Sequence, residues 1–285
     1  MNKLNSQFRY IVILIILFSS SALYSKNNDF LILKNYEDSL NICFNSMANS
    51  KLDKDRIDAN ENILRIFRKI LVNKNTFDYS FDSLKYVGIF KSIDNKLKIY
   101  NWNMPFNDGT HKYFGFIQYY SKKKKQYLYE LYDNSENIKN PEFEELTNEN
   151  WYGVLYYSIL ENKYRGKVYY TLLATDFNDI FTNKKIVEVL SFDSKNKPIF
   201  GAPIFKNRKK NVRRIIFEYS ARTSMGLHFD NKKEMIVYDH LSPFKPSLQG
   251  QFEFYGPDFS YDGLKFEHGI WNLYYDLDVR NLDIE

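Results

Sequence analysis

From Trp151 to Tyr275 the chain is a succession of short runs rich in Val, Ile, Tyr and Phe, parted by only a few Gly, Asn, Asp, Pro or Ser residues. Runs of that make-up suit a half-buried pleated surface. Strands are expected at Gly153 to Leu160, Lys167 to Ala174, Lys184 to Phe192, Lys197 to Phe205 and Val212 to Ser220. Further strands follow at Gly226 to Phe229, Glu234 to His240, Gln251 to Tyr255 and Ile270 to Tyr275. The gaps are too short for crossover helices, and a parallel pair needs a connection of roughly a dozen residues, so antiparallel hairpins are expected. Asp193-Ser194-Lys195-Asn196 and Asp230-Asn231-Lys232-Lys233 are compact hairpin loops whose Asp and Asn side chains bond their own backbone. The expected fold is mainly β, with antiparallel multi-stranded sheets in a sandwich or meander or in a propeller-like arrangement.

Upstream the period changes. Tyr36, Leu40, Cys43, Phe44 and Met47 recur at three- and four-residue steps, as do Ile57, Ile63, Leu64, Phe67, Ile70 and Leu71. This predicts an α-helical hairpin over Asn35 to Ala48 and about Asp55 to Val72, with Asp58 and Glu61 at capping-box spacing offering a later start. Lys96 to Trp102 then alternates, with Leu97, Ile99 and Asn101 on one face and Lys98, Tyr100 and Trp102 on the other. Tyr113 to Tyr120 and Gln126 to Tyr132 form the next pair, closed by Ser121-Lys122-Lys123-Lys124-Lys125. Four lysines in a tight turn read as a solvated tip; anionic-surface binding is the other reading. The same choice applies to the basic run Lys206 to Arg214.

Lys3 and Arg9 precede an uncharged run, Tyr10 to Phe18, followed by Ser19-Ser20-Ser21-Ala22. That is the layout of a secretory signal peptide, and the apolar run falls short of the ~20 residues that span a bilayer. The domain reading is therefore a signal peptide at 1–25, a helical hairpin packed on the sheet domain at 26–76, and an antiparallel β domain at 77–285. A periplasmic or secreted location follows, with no stable membrane anchor after cleavage. The formal charge of +5 falls to +3 without Lys3 and Arg9. A field that gathers nucleic acid is missing, so no nucleic-acid partner is expected. Cys43 is the single cysteine and cannot close an internal disulfide.

Nucleotide-binding glycine loops, the serine-hydrolase elbow, the zinc-protease helix and C-x-x-C are all missing. Neither a cofactor nor a metal is assigned. Polar residues gather instead near the C-terminus. Asp239, His240, Asp258 and Asp262 are the candidate catalytic residues, because carboxylates and an imidazole on one rim can serve acid and base steps. The alternative is that Gly256-Pro257-Asp258 and Asp262-Gly263 are simply turns. Tyr255, Phe259, Tyr261 and Trp271, with Trp102, are the candidate binding residues, since rings with polar tips pave surfaces for sugars or proteins.

The segments Trp102 to Gln118 (WNMPFNDGTHKYFGFIQ), Tyr169 to Thr175, Met235 to Pro243 (MIVYDHLSP) and Tyr255 to Leu264 (YGPDFSYDGL) carry a resemblance. They look like an uncharacterised family of secreted Gram-negative bacterial proteins with no assigned activity. The resemblance implies an exported bacterial domain and no site residue. Taken together, the sequence favours a binding or interaction module for a glycan, a cell-envelope component or a protein. The alternative is a hydrolase of envelope or extracellular polymers using the C-terminal Asp and His residues.

Overall fold

The structure, a computed structural model, describes residues 29–206 and 211–278. The expected signal peptide and the middle of the basic run at 206–214 lie outside the described residues. The chain divides into two compact units, the first ending at Tyr86 and the second beginning at Val87.

The first unit is the helical hairpin, α1 over residues 29–49 and α2 over Asp53–Ile70. Phe44 of α1 meets Phe67 of α2 edge to face at 6.4 Å, and Phe67 in turn meets Phe81 at 6.4 Å. The helix α2 starts earlier than the capping-box spacing suggests. Asp53 and Asp55 occupy its first turn, where acidic side chains favour the positive helix end, while the cap position, Leu52, offers no side-chain bond. Ile57 is exposed and Cys43 half-buried, so neither lies at the heart of the interface. Residues after the hairpin stay with it, because Glu37 accepts hydrogen bonds from the Tyr79 hydroxyl and, at 2.7 Å, the Ser83 backbone N–H. The boundary therefore falls near residue 86 rather than 76.

The second unit begins with a four-stranded meander: β1 (Gly88–Lys91), β2 (Leu97–Pro105), β3 (His111–Tyr120) and β4 (Gln126–Tyr132). Next come β5 (Leu155–Tyr164), β6 (Lys167–Asp176), β7 (Thr182–Phe192), β8 (Pro198–Phe200), β9 (Phe205–Lys206) and β10 (Asn211–Val212). The chain closes with β11 (Arg214–Ser220), β12 (Leu227–Asp230), β13 (Met235–Pro243), β14 (Tyr255–Glu267) and β15 (Ile270–Tyr274). The second sheet has the order β11-β7-β6-β5, with β8 beside β7; the third has the order β10-β9-β15-β14-β13-β12. Among these strands pairing is antiparallel except where Trp271 of β15 meets Phe205 of β9, and the isolated bridge between Asp133 and Trp151 is also parallel.

The second sheet is the middle layer. Tyr170, Leu172, Ala174, Ile186 and Leu190 pack with Leu97, Ile99, Ile117 and Leu131 of the first sheet. The alternate residues Leu173, Val187 and Val189 pack with Ile236, Tyr238, Leu264 and Trp271 of the third. A strand covered on both faces needs apolar residues at every position, which is why Leu172-Leu173-Ala174 and Ile186-Val187 run without a polar break. Arg214 Nη2 is buried in these layers without a hydrogen-bond partner among the described residues, whereas other buried polar groups are matched. Asn101 accepts from the Tyr156 N–H at 2.6 Å and donates to the Gly88 carbonyl at 3.0 Å, which explains an amide on the core face of β2.

Three stretches depart from the sequence expectation, the first being Gln251 to Tyr255, which is a 3-10 turn over Phe252–Phe254 that enters β14 only at Tyr255. Lys197 to Phe205 breaks into β8 and β9, since Gly201 takes a left-handed φ of +89°. Gly256-Pro257-Asp258 and Asp262-Gly263 are not tight turns but part of the 13-residue β14. Gly263 marks a close approach: a Cβ there would sit 3.1 Å from the Ile236 carbonyl and 2.9 Å from the Met235 side chain.

A buried charge holds the middle layer. Arg214 and Glu188, both fully buried, pair at 3.1 Å across β11 and β7. Glu188 also accepts from the Tyr156 hydroxyl, which accepts from the Trp151 indole at 2.8 Å. Arg214 donates outward to the carbonyls of Pro141 and Glu144, tying the 139–146 segment to the sheet.

Candidate functional site

Four hairpin tips of the first two sheets gather at one end of their stack. The β1–β2 turn supplies Lys96, the β3–β4 tip Lys122, Lys123 and Lys125, the β5–β6 tip Arg165 and Lys167, and the β7–β8 tip Asp193 and Asn196. Each tip turns through a left-handed residue: Asn95, Lys124, Arg165 with Gly166, and Asn196. Between them lies a cleft of about 700 Å³. Its inner wall is aromatic, with Tyr119 stacked on Phe192 at 3.5 Å and 9°, and Tyr170 edge-on to Phe192 at 6.2 Å.

Bonds between tips fix this shape. The Tyr170 hydroxyl donates to Asp94 at 3.0 Å, and Glu161 accepts the Asp94 N–H at 2.9 Å, so the β1–β2 turn is held by both β6 and β5. The Tyr129 hydroxyl donates to the Asn196 carbonyl at 2.8 Å, and the Asn196 amide donates to the Tyr127 hydroxyl at 3.2 Å. Burial, with the neighbouring Tyr127 adding to it, pushes the Tyr129 hydroxyl up to about 12, so it stays a donor at any ordinary pH. Lys125 lies over Tyr127 at 5.1 Å and Lys167 over Tyr169 at 4.9 Å, which keeps these ammoniums against the rings.

Six cationic residues therefore line the cleft, of which Lys96 is paired with Asp94 at 3.4 Å, and the one lining carboxylate, Asp193, accepts the backbone N–H groups of Lys195 and Lys197, both at 2.8 Å. The lysine run is a wall of a cleft as well as a solvated tip. Sequence reasoning missed this because the tips stand far apart along the chain and meet only when the sheets stack.

The C-terminal candidates divide. His240 sits in the irregularity of β13 between Asp239 and Leu241, opposite the bulged residues Asp258, Phe259 and Ser260 of β14. Its Nδ1 lies 2.8 Å from the buried Asp262 carboxylate, which also accepts the Asp276 N–H at 3.2 Å. Asp258 adds a more distant negative charge on His240 but spends its own Oδ1 on Ser260. Asp239 is turned aside to accept the Gly226 N–H at 2.7 Å. The four do not form one set; His240 and Asp262 alone are in contact.

The expected aromatic platform is not assembled. Trp102 is buried and stacked on Phe114 and Phe116, and Trp271 is buried against the middle sheet with its indole donating to Thr171 at 3.1 Å. Tyr255 is half-buried, with its hydroxyl accepting the Gly250 N–H at 2.9 Å, and Tyr261 is half-buried too. Only Phe259 stands free, 92% exposed at a left-handed φ of +70°. Among the described residues, no group of three or more His, Cys, Asp or Glu side chains is placed to hold a metal ion. No helix there is long and apolar enough to cross a membrane.

The His240 pair sets a pH dependence. The hydrogen bond to Asp262 raises the imidazole above its ordinary 6.5, against a smaller opposing effect of burial. A raised folded value favours the protonated form, so the stabilisation is full below 6.5 and fades as pH climbs through the folded value. With 42% of the imidazole side chain exposed, screening limits the effect to under about 1 kcal/mol. Denaturant unfolding between pH 6 and 9 should show a fall in stability that His240→Gln removes; parallel pH profiles for both proteins would contradict the pairing.

No protein-family model, no curated protein and no solved structure matches this chain, so the functional reading rests on the geometry of the cleft.

Proposed function

We propose that this protein is an exported binding module that holds an acidic glycan of the cell envelope in the basic, ring-walled cleft. The observation that carries the reading is the convergence of Lys96, Lys122, Lys123, Lys125, Arg165 and Lys167 around Tyr119, Tyr127 and Phe192. Sugar rings present apolar faces that stack on aromatic side chains, while carboxylate, sulfate or phosphate substituents pair with the cations. Cross-links between the tips support binding without reorganisation, which spares the ordering cost of loose loops. The hydrolase alternative keeps only the His240 and Asp262 pair, with Asp239 already engaged elsewhere.

Calorimetry of the full chain with heparin oligosaccharides and oligogalacturonate, against neutral dextran, tests this. Both acidic glycans should bind and weaken as salt is raised, and dextran should not bind. The double variant Lys125→Glu/Arg165→Glu should lose affinity at least about tenfold, a change of roughly 1.4 kcal/mol. Equal binding of dextran, salt-independent affinity, or preference for a single-stranded oligonucleotide would overturn the proposal.

A further inference from the structure

A second cavity, of about 350 Å³, opens between the 139–143 segment, the paired strands β7 and β11, and the 3-10 turn Phe252–Phe254. It shares no lining residue with the basic cleft. Its size falls within the range of roughly 300–1,000 Å³ that small-molecule sites occupy.

Two polar side chains in its wall make no hydrogen bond with a described residue. Tyr152 lines the cavity and is only 6% exposed, and its hydroxyl makes no hydrogen bond with a described residue. The half-buried Glu142 carboxyl likewise has no hydrogen bond from any described residue, and burial pushes its pKa up although the Arg214 charge opposes this.

The rest of the lining narrows the chemistry. Glu218 accepts from the Thr182 hydroxyl at 2.8 Å through one carboxylate oxygen and stands opposite Lys184 across the strands. That lysine is already engaged, donating to Asn178 at 2.7 Å and lying 3.9 Å from Asp176. Lys139, the other cation, is exposed. Phe143 and Phe252 are 51% and 43% exposed on the cavity wall, which leaves both rings open to an occupant. The segment carrying Glu142 is held in place, since its backbone carbonyl accepts the Arg213 N–H at 2.8 Å and the next turn is tied to Arg214.

We propose that this pocket binds an amino sugar, with Glu142 and Glu218 taking the protonated amine, Tyr152 a ring hydroxyl, and Phe143 with Phe252 the faces of the ring. Carboxylates and aromatic faces together are the groups that hold an ammonium on a small ring. A neutral sugar leaves Glu142 unmatched, and an anion meets two carboxylates.

The test is titration of the full chain with glucosamine, glucose and N-acetylglucosamine, followed by nuclear magnetic resonance. Glucosamine should bind at least tenfold more tightly than either uncharged sugar. Glu142→Gln should weaken it about tenfold and Tyr152→Phe about fivefold, each with an unchanged circular dichroism spectrum, whereas Lys125→Glu in the basic cleft should leave it unchanged. Absence of saturable glucosamine binding, equal affinity for the three sugars, or indifference to both pocket variants would overturn the inference. Because the two cavities share no residue, such a failure leaves the acidic-glycan reading of the larger cleft standing.

Discussion

Glu188→Ala is expected to lower stability by about 3–5 kcal/mol, the range for stranding one member of a buried ion pair. Arg214 would remain fully buried with its carboxylate gone, and the Tyr156 hydroxyl would lose its acceptor. For a chain of this size the melting temperature should fall by roughly 6–20 °C. Thermal unfolding followed by near-ultraviolet circular dichroism reads the change directly. The double variant Glu188→Leu/Arg214→Met should recover much of the loss, since replacing both charges with apolar groups removes the desolvation problem. A shift under about 1 kcal/mol for Glu188→Ala would mean that water reaches Arg214 and that the pair is not sealed.

Trp271→Ala is the second large effect, at about 3–5 kcal/mol for removing a buried indole. The ring sits against Phe266 at 5.4 Å, and its N–H reaches Thr171 on the middle sheet, whose own hydroxyl donates to Asn162 at 2.8 Å. Trp271→Phe should cost less, because it keeps most of the packing and loses mainly the hydrogen bond. Glycan affinity of the folded variant should match that of the unsubstituted protein, because Trp271 is not part of the cleft wall. Loss of affinity without loss of stability would restore the indole as a ligand contact.

These two side chains also show where sequence reading succeeds and where it stops. Alternation in Leu97 to Trp102 gave the right faces, because a period of two is a local property of extended chain. The apolar runs at Leu172 and Ile186 marked strands but not the layer between two others, since the runs record burial on both sides without naming the neighbours. Trp271, an aromatic close to polar residues, has the local composition of a binding residue. Its burial depends on the third sheet lying against Thr171, a contact spanning 100 residues. Phe259 follows the opposite course, displaced outward by an irregular pairing of β13 and β14 that no composition rule announces. The contact between His240 and Asp262 arises in the same way, from strand register across 22 residues.

The late closure of the fold has a kinetic consequence. Strand β11 reaches β7 only after the excursion through β8, β9 and β10, and β9 finds its partner in β15, 66 positions further on in the Phe205 and Trp271 register. Pairings so distant in sequence must meet the entropy of loop closure before they gain any contact energy. A nascent chain that has emerged only as far as Ser220 carries a middle sheet with one uncovered apolar side. It becomes a finished domain only when the final strand arrives, so the span between those two moments is when this protein is most exposed to aggregation and most dependent on chaperones.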